Sequence, residues 1–288
     1  MSEGPLVIFH ADCYDGFTAA WAFWRWGPGG RGATYVPAKY GEEPPLVLGR
    51  DVWILDFSYP RQTLVAMAAD AERIRVFDHH ETARGDLAGL PYCSFDMNRS
   101  GCGLTYDALN AMAPLFVAEG GGAPKPAPRP WLIDTVEDRD LWRFALPGTR
   151  EAMAWVSAQF PWTFERWDAL LDEGLEVAAR NGVGILRYIR VYGEKARAEA
   201  RLEFVGERVV PTINVPYLNC SEHIAALAQA FPDRAFAAGY FRRADGRWQF
   251  SLRSVNGVDV AAVAAGYGGG GHKAAAGFVV NRLPWEPA

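Results

Sequence analysis

The chain has 288 residues, of which 50% are hydrophobic and 22% are charged, so its composition excludes an intrinsically disordered protein. This length suffices for two domains or for one large domain. The formal net charge of −5 lacks the basic surplus of proteins that bind long nucleic acids, whereas a short anionic substrate in a local basic pocket is compatible with it.

Four short apolar runs near the N-terminus predict buried strands. They span residues 6–9, 33–36, 52–55 and 74–77. Helix-like segments alternate with them: residues 16–26 are rich in Ala and Trp, and a second segment has Pro60 as its first helical residue. Strands that alternate with helices predict a parallel α/β sheet.

Three of these strands end at a histidine or an aspartate. His10 follows the first strand, Asp56 follows the third, and Asp78 follows the fourth together with His79 and His80. In open α/β sheets the ligand crevice lies beyond the carboxyl ends of the strands. We therefore expect these residues to converge on one site.

The remainder of the chain predicts a second domain. The Gly- and Pro-rich residues 118–130 predict an exposed loop. Helix-like sequence follows over residues 165–200, and then come three strand-like segments, a short helix, a glycine run and a final strand. We place a metal-binding domain at residues 1–180, a helical linker at 181–200 and a substrate-binding domain at 201–288.

The cysteine pattern and the apolar runs predict a soluble, cytoplasmic protein without a membrane partner. The N-terminus lacks the basic and apolar regions of a signal peptide, and no apolar run reaches the roughly 18 residues of a membrane span. The absence of any C-x-x-C pair favours free thiols over a zinc knuckle or a disulfide framework at Cys13, Cys93, Cys102 and Cys220.

The segment HADCYDG, after the first strand, concentrates His10, Asp12 and Asp15 within six residues. Carboxylates with an imidazole suit Mn²⁺, Mg²⁺ or Zn²⁺, and the absence of cysteine partners favours Mn²⁺ over structural zinc. Either acid alone is better interpreted as the cap of the helix that begins at Gly16. Together with His10 and the other strand-end acids, they are better interpreted as metal ligands.

The next two strand ends suggest distinct functions for their residues. The carboxylate of Asp56 can bridge two metal ions that clamp a phosphoryl group, although a turn or helix-cap acid is the alternative. Adjacent residues of an extended chain point to opposite sides. We therefore expect one of His79 and His80 to bind metal and the other to face the substrate, rather than a surface pair without function.

A fourth acidic cluster lies in DTVEDRDLW, where apolar residues flank the acids on both sides. A solvated acidic loop is the usual interpretation of such a run. We expect part of it to be held against a core, with one acid completing the metal-binding set. Spacing alone does not distinguish among Asp134, Glu137, Asp138 and Asp140.

The C-terminal GYGGGGHKAAAGF contains a glycine run followed by His272 and Lys273. It neither opens a βαβ unit nor contains Gly-Lys-Ser/Thr, so it is not a dinucleotide fingerprint or a Walker A loop. Its backbone N–H groups can approach an anion closely, and Arg253 adds positive charge; a tight turn is an equally good interpretation. The nearby Trp248, Phe250 and Tyr267 mildly favour a nucleobase, with core packing as the alternative.

These motifs, in this order, resemble the DHH phosphoesterases with a C-terminal DHHA1 domain. FHADCYDGFTAA, LDF, FDHHE and TVEDRDLW are similar to their four N-terminal motifs, and GGGGHKAAAG is similar to the DHHA1 signature. The resemblance spans nearly the whole chain. It implies an α/β protein of two domains, an N-terminal parallel-sheet DHH domain and a smaller C-terminal α/β DHHA1 domain.

The resemblance also implies functions for individual residues. Asp56 would bridge the metals, Asp78 would orient its neighbours, and His80 would face the scissile phosphate. Many relatives have H-x-x-x-D-x-D or D-x-D-G where this chain has H-x-D-x-x-D-G. This departure leaves two functions open for Asp12, as a metal ligand or as a residue that structures the loop. The implied metal ligands are His10, Asp12, Asp15, Asp56, His79 and Asp138, and the implied substrate-binding residues are Ser100, Arg253, Gly270, Gly271, His272 and Lys273.

We therefore predict a phosphoesterase that uses two Mn²⁺ ions, with Mg²⁺ as the alternative cation. It would hydrolyse short oligonucleotides or pAp-like nucleotides through a metal-activated hydroxide. The acidic net charge argues against a stable partner of long nucleic acid. The alternatives are a polyphosphate or pyrophosphate hydrolase, a cyclic mononucleotide or dinucleotide phosphodiesterase, and a nucleotide-binding regulator without activity.

Overall fold

The computed structural model describes residues 4–118 and 129–286. The chain divides into two compact units, Met1–Ile185 and Leu186–Ala288, and the division falls inside the helix Leu175–Ala198. The loop predicted at residues 118–130 lies, for its central residues 119–128, outside the described part of the chain.

In its described part, the first unit contains a five-stranded parallel sheet with the order β2-β1-β3-β4-β5. All four apolar runs near the N-terminus form strands of this sheet, and the short strand β5 was not predicted. The strands are β1 (Leu6–His10), β2 (Thr34–Ala38), β3 (Asp51–Leu55), β4 (Arg73–Asp78) and β5 (Cys93–Phe95).

Helices cover both faces of this sheet, so its central strands are apolar on both sides. Val7 and Phe9 of β1 pack into one core, and Leu6 and Ile8 pack into the other. The described helices that begin in the first unit are α1 (Tyr14–Trp26), α2 (Arg61–Asp70), α3 (Glu81–Asp86), α4 (Gly101–Ala118), α5 (Trp131–Asp140), α6 (Thr149–Ser157), α7 (Phe164–Glu173) and α8 (Leu175–Ala198), and the last of them continues into the second unit.

The second unit contains a mixed sheet with the order β10-β11-β9-β8-β7-β6, in which β7 and β8 are parallel neighbours. The described strands and helices here are β6 (Arg201–Val205), β7 (Arg208–Asn214), α9 (Cys220–Ala230), β8 (Ala237–Arg242), β9 (Trp248–Arg253), α10 (Val260–Ala265), β10 (Gly270–His272) and β11 (Ala275–Val280). The predicted fold class, α/β with a parallel N-terminal sheet and a smaller C-terminal α/β unit, is confirmed.

Two predicted helix boundaries differ from the structure. Pro60 is the residue before α2 rather than its first helical residue. The helix predicted over residues 165–200 is two helices, because Gly174 adopts φ 84° and ψ 156° between α7 and α8. That conformation is essentially restricted to glycine.

None of the helices in the described ranges combines the length and the apolar character needed to cross a membrane.

Substitution to alanine is expected to have opposite effects at Gly174, in the break between α7 and α8, and at Gly184, inside α8. Gly174→Ala is expected to lower the free energy of unfolding by about 1–3 kcal/mol, since alanine is strained at this φ and ψ. Gly184→Ala lies within α8 with no atom near its new Cβ, and should raise stability by roughly 0.5–1 kcal/mol. Urea denaturation of both variants measures this; equal stability of Gly174→Ala and the parent would contradict the strained break.

Candidate metal centre

The sheet order places the ends of β1, β3 and β4 side by side. The chain passes from β1 to β2 on one side of β1, and then from β2 to β3 on the opposite side of β1. A topological switch point therefore lies between β1 and β3. Ligand crevices form beyond the carboxyl ends of strands at such points. His10 and Asp56 flank this crevice, and Asp78 ends the next strand.

Asp56 lies at the centre of the site. Its side chain is 1% exposed, and its backbone adopts a positive φ of 55°, which is uncommon for a residue with a side chain. Its Oδ1 lies 3.1 Å from His79 Nε2, and its Oδ2 lies 3.4 Å from His10 Nδ1. Within the described part of the chain, neither oxygen nor His10 Nδ1 has a hydrogen-bond partner of good geometry.

Asp56 is shared by three groups of potential ligand atoms. In each group the imidazole, thiol or carboxylate atoms lie within 4.8 Å of one another. A carboxylate common to several groups is placed as a bridging ligand would be. The groups are His10–Cys13–Asp56, Asp15–Asp56–His79 and Asp56–Asp78–His80.

Asp15 connects this site to the start of α4. Its carboxylate accepts hydrogen bonds from the backbone N–H groups of Gly101 at 2.5 Å and Cys102 at 2.9 Å, and its Oδ2 lies 3.5 Å from His79 Nε2. Asp15 therefore caps α4, not the helix α1 on which it lies. The same carboxylate faces the metal-binding cluster.

Ser100 is placed differently from the prediction. Its side chain is fully buried, and its hydroxyl donates a hydrogen bond of 2.7 Å to Asp15 Oδ1. The predicted contact of Ser100 with a substrate phosphate does not fit this burial. The hydroxyl instead helps to hold Asp15.

Gly101 explains why α4 begins directly against Asp56. A Cβ atom built on Gly101 would lie 2.3 Å from Asp56 Cβ and 2.6 Å from Asp56 Oδ1. Every residue other than glycine would therefore displace Asp56 or the start of α4.

The two adjacent histidines contact different groups, as the alternation of an extended chain predicts. His79 Nε2 faces Asp56 and Asp15, whereas His80 Nδ1 lies 2.6 Å from Asp78 Oδ1. Asp78 is fully buried and also accepts hydrogen bonds from the His79 N–H at 2.7 Å and from the Ser58 hydroxyl. Asp78 thus fixes the orientation of the segment that carries both rings.

The electrostatics of the site favour a bound cation. Burial and the charges of Asp56 and Asp140 raise the pKa of Asp15 well above its ordinary value. Burial lowers the pKa of His79, but its close contact with Asp56 and the charges of Asp140 and Asp56 overcome this and raise the pKa to about 11. The buried carboxylates therefore repel one another and are stabilised by a nearby positive charge.

These residues fit a divalent cation. The oxygens of Asp56 and Nδ1 of His10 are buried polar atoms without a well-formed hydrogen bond among the described residues, and buried polar atoms are costly without one. Carboxylate and imidazole donors suit Mn²⁺, Mg²⁺ and Zn²⁺. A cation among them would satisfy the orphaned atoms and offset the repulsion between the acids.

Two predicted ligands lie elsewhere. Asp12 is 64% exposed, and its Oδ2 lies 2.7 Å from Lys39 Nζ. Asp138 accepts hydrogen bonds from the N–H groups of Ala145 at 2.8 Å and Leu146 at 3.1 Å and from the Thr149 hydroxyl at 2.5 Å. Asp138 therefore holds the loop between α5 and α6, and Asp134 pairs with Arg129 at 3.2 Å.

Asp140 takes the position that the resemblance assigns to Asp138. Its Oδ2 lies 3.5 Å from His79 Nε2. Helical periodicity could have distinguished Asp140 from Asp138. Ile133, Val136 and Asp140 share one face of α5, and the first two belong to the core. Asp138 is two residues away and points in another direction.

The predicted substrate-binding residues of the second unit lie in two strands and the turn after one of them. Gly270, Gly271 and His272 form the edge strand β10, and Lys273 follows it. Arg253 and His272 both pair with Ala275 of β11, so they lie in one row across the sheet. The glycine run is thus partly strand, and Arg253 donates a hydrogen bond of 2.6 Å to the Ser221 hydroxyl.

The positions of Asp138 and Asp140 predict contrasting variants. Asp138→Ala should lower the free energy of unfolding in chelator by about 1–3 kcal/mol, because buried donors lose their acceptor. Asp140→Ala should not destabilise the metal-free protein, since burial, together with the charge of Asp56, raises the pKa of Asp140 and makes its charged form costly there, but it should weaken Mn²⁺ binding. Thermal unfolding in chelator and calorimetric titration measure the two effects; early unfolding of Asp140→Ala would contradict this assignment.

Comparison with known proteins identifies the second unit. Residues 218–285 match the DHHA1 domain family. An uncharacterized protein of Acanthamoeba polyphaga mimivirus is 26% identical over 310 residues, which cover 98% of this chain and 69% of that protein.

Solved structures from bacteria are similar to this chain over most of its length. RecJ from Thermus thermophilus in complex with Mn²⁺ aligns with a TM-score of 0.53 at 16% identity, covering 96% of this chain and 50% of RecJ. A pGpG-specific phosphodiesterase from Vibrio cholerae aligns with a TM-score of 0.47 at 13% identity, covering 96% of this chain and 93% of that one. The DHHA1 match assigns residues 218–285 to that domain family, and the alignment with RecJ shows a RecJ-like fold, in agreement with the resemblance that the motifs predict.

Proposed function

We propose that the chain is a metal-dependent phosphoesterase that hydrolyses short oligonucleotides or pAp-like nucleotides. The observation that carries this proposal is Asp56, a buried carboxylate whose two oxygens have no hydrogen-bond partner of good geometry among the described residues and which is shared by three groups of potential ligands. When bound, a pair of divalent cations supplies neutralisation of the phosphoryl charge and a water-derived nucleophile near neutral pH. RecJ, whose fold this chain shares, was solved with Mn²⁺.

The residues of the first unit divide the work at this centre. His10, Asp15, Asp56, His79 and Asp140 would hold the cations. His80 is 13% exposed and would face the substrate. Burial lowers the pKa of His80, but the charge and hydrogen bond of Asp78 more than offset this and raise the pKa. A protonated His80 would donate a hydrogen bond to a phosphoryl oxygen.

The second unit would hold the anionic part of the substrate. Arg253 and His272 place a guanidinium and an imidazole in one row across the sheet of the second unit, and Lys273 directly follows His272. The N–H groups of Gly270 and Gly271 would add further donors. These few groups in a chain of net charge −5 suit a short substrate rather than a long polymer.

The aromatic residues near this row give no argument for a nucleobase. Phe250 is fully buried, and its ring stacks on Phe278 with centroids 4.8 Å apart. Tyr267 stacks on the other side of Phe278 at 4.2 Å. These rings are core, so the choice between a nucleotide and polyphosphate rests on a direct comparison of substrates.

That comparison uses a 5′-labelled RNA dinucleotide, pAp and a long RNA strand, each with Mn²⁺ and with chelator. We expect Mn²⁺-dependent cleavage of the dinucleotide or pAp and much slower cleavage of the long strand. Polyphosphate, pyrophosphate and a cyclic dinucleotide complete the panel. Turnover of only these three would replace the proposed substrate class, and no turnover by protein shown to bind Mn²⁺ would refute the proposed activity.

Asp56→Asn tests the central carboxylate with a substitution of nearly equal shape. We expect hydrolysis to fall by more than roughly 100-fold, since even outer partners of a metal ligand contribute up to that factor. Asp12→Asn, whose parent side chain is exposed and paired with Lys39, should retain activity close to that of the parent. Steady-state kinetics at saturating Mn²⁺ measures both; an active Asp56→Asn enzyme would exclude Asp56 as a ligand.

A further inference from the structure

A cysteine lies among the potential metal ligands of the first strand end. The Cys13 thiol, an imidazole nitrogen of His10 and a carboxylate oxygen of Asp56 all lie within 4.8 Å of one another. Cys13 directly precedes α1 and is half-buried. The sequence pattern points to Asp12 instead, because Asp12 lies with His10 and Asp15 within six residues.

The conformation of the loop between β1 and α1 explains why Cys13, and not Asp12, faces the cluster. Asp12 adopts a positive φ of 54°, and its carboxylate lies at the surface beside Lys39. The next side chain, that of Cys13, is the one that joins His10 and Asp56. The loop therefore presents a thiol to the cluster and an acid to the solvent.

The two residues that accompany Cys13 in this group, His10 and Asp56, independently indicate that a cation binds there. Asp56 is almost completely buried, and both of its carboxylate oxygens lack a hydrogen-bond partner among the described residues. His10 Nδ1 lies 3.4 Å from Asp56 Oδ2 and is likewise buried and unpartnered in the described ranges. Potential ligand atoms that lack a hydrogen bond and lie close to a thiol are the arrangement expected around a cation.

We propose that the Cys13 thiolate is a ligand of one cation of the centre, together with His10 and Asp56, and that this position prefers Zn²⁺ to Mn²⁺ and Mg²⁺. Thiolate is a soft ligand that selects zinc, whereas carboxylate and water ligands suit Mn²⁺ and Mg²⁺. Three protein ligands also leave the fourth tetrahedral position open, as in catalytic zinc sites. The proposal revises the preference for Mn²⁺, which depended on the absence of cysteine partners.

The two halves of the centre would then differ. The group of Asp15, Asp56 and His79 holds only oxygen and nitrogen donors, which suit Mn²⁺. The group with Cys13 adds sulfur.

Cobalt spectroscopy tests the thiolate ligand without reference to activity. The full chain is stripped with chelator and titrated with Co²⁺, whose thiolate complexes show a charge-transfer band in the near ultraviolet. We expect the band in the parent and in Cys93→Ser, a control at a half-buried cysteine outside the three ligand groups. The band should be absent in Cys13→Ser and Cys13→Asp, although both still bind Co²⁺.

Competition between metals tests the proposed preference. In Cys13→Ser the affinity for Zn²⁺ should fall at least about tenfold. In Cys13→Asp, which replaces a soft ligand by a hard one, the ratio of Zn²⁺ to Mn²⁺ affinity should fall further. Calorimetric titration measures both, and circular dichroism identifies any variant that fails to fold, in which case the other variant carries the comparison.

The outcomes separate this inference from the proposed function on which it rests. Co²⁺ binding with the same band in Cys13→Ser as in the parent would overturn the thiolate ligand and leave the metal centre intact. Unchanged selectivity in Cys13→Asp would overturn the zinc preference. Folded parent protein that binds none of Co²⁺, Zn²⁺ and Mn²⁺ would overturn both this inference and the proposed metal-dependent activity.

Discussion

The burial of the Asp56 carboxylate, whose oxygens have no hydrogen-bond partner of good geometry among the described residues, is the constraint around which the first unit is organised. An ionised carboxylate removed from water is costly unless charge or hydrogen bonds compensate it. Burial would raise the pKa of Asp56, but His10 and His79 hold it well below its ordinary value, so the group stays charged. The two histidines only partly satisfy its oxygens, and the remaining capacity suits a divalent cation.

Several elements of the fold serve to hold this carboxylate in place. The parallel sheet supplies it at the end of β3, between the strands that carry His10 and Asp78. Helix α4 closes over it, which Gly101 permits by lacking a Cβ atom. Asp15 anchors the start of α4 while facing His79, so a single side chain links the helix position to the chemistry of the site.

The parts of the fold that depend on local pattern were predictable. Buried strands of a parallel sheet are continuous apolar runs, and each of the four runs near the N-terminus forms a strand close to its predicted bounds. The convergence of His10, Asp56 and Asp78 followed from the common polarity of parallel strands. The break at Gly174 was missed because one glycine in a helical pattern is compatible with an uninterrupted helix.

The choice between neighbouring residues was not predictable from pattern. The motif resemblance selected Asp138 and included Asp12, whereas the structure brings Asp140 and Cys13 to the cluster. In each case two candidates lie within two residues of each other, and the rotation of one helix or the path of one loop decides which faces inward. For Asp138, the deciding partners are backbone donors in the loop before α6 and the hydroxyl of Thr149, the first residue of α6.

The sequence by itself determined the architecture, the strand ends that form the site, and the acid and imidazole chemistry found there. These follow from apolar periodicity and from residue type, which act over a few residues. Only the tertiary structure decided which acids are ligands, that Ser100 is buried against Asp15, and that a thiol joins the centre. Those outcomes depend on contacts between residues distant in the chain, such as Asp15 with α4 or His79 with Asp140, and on loop conformations that local pattern does not specify.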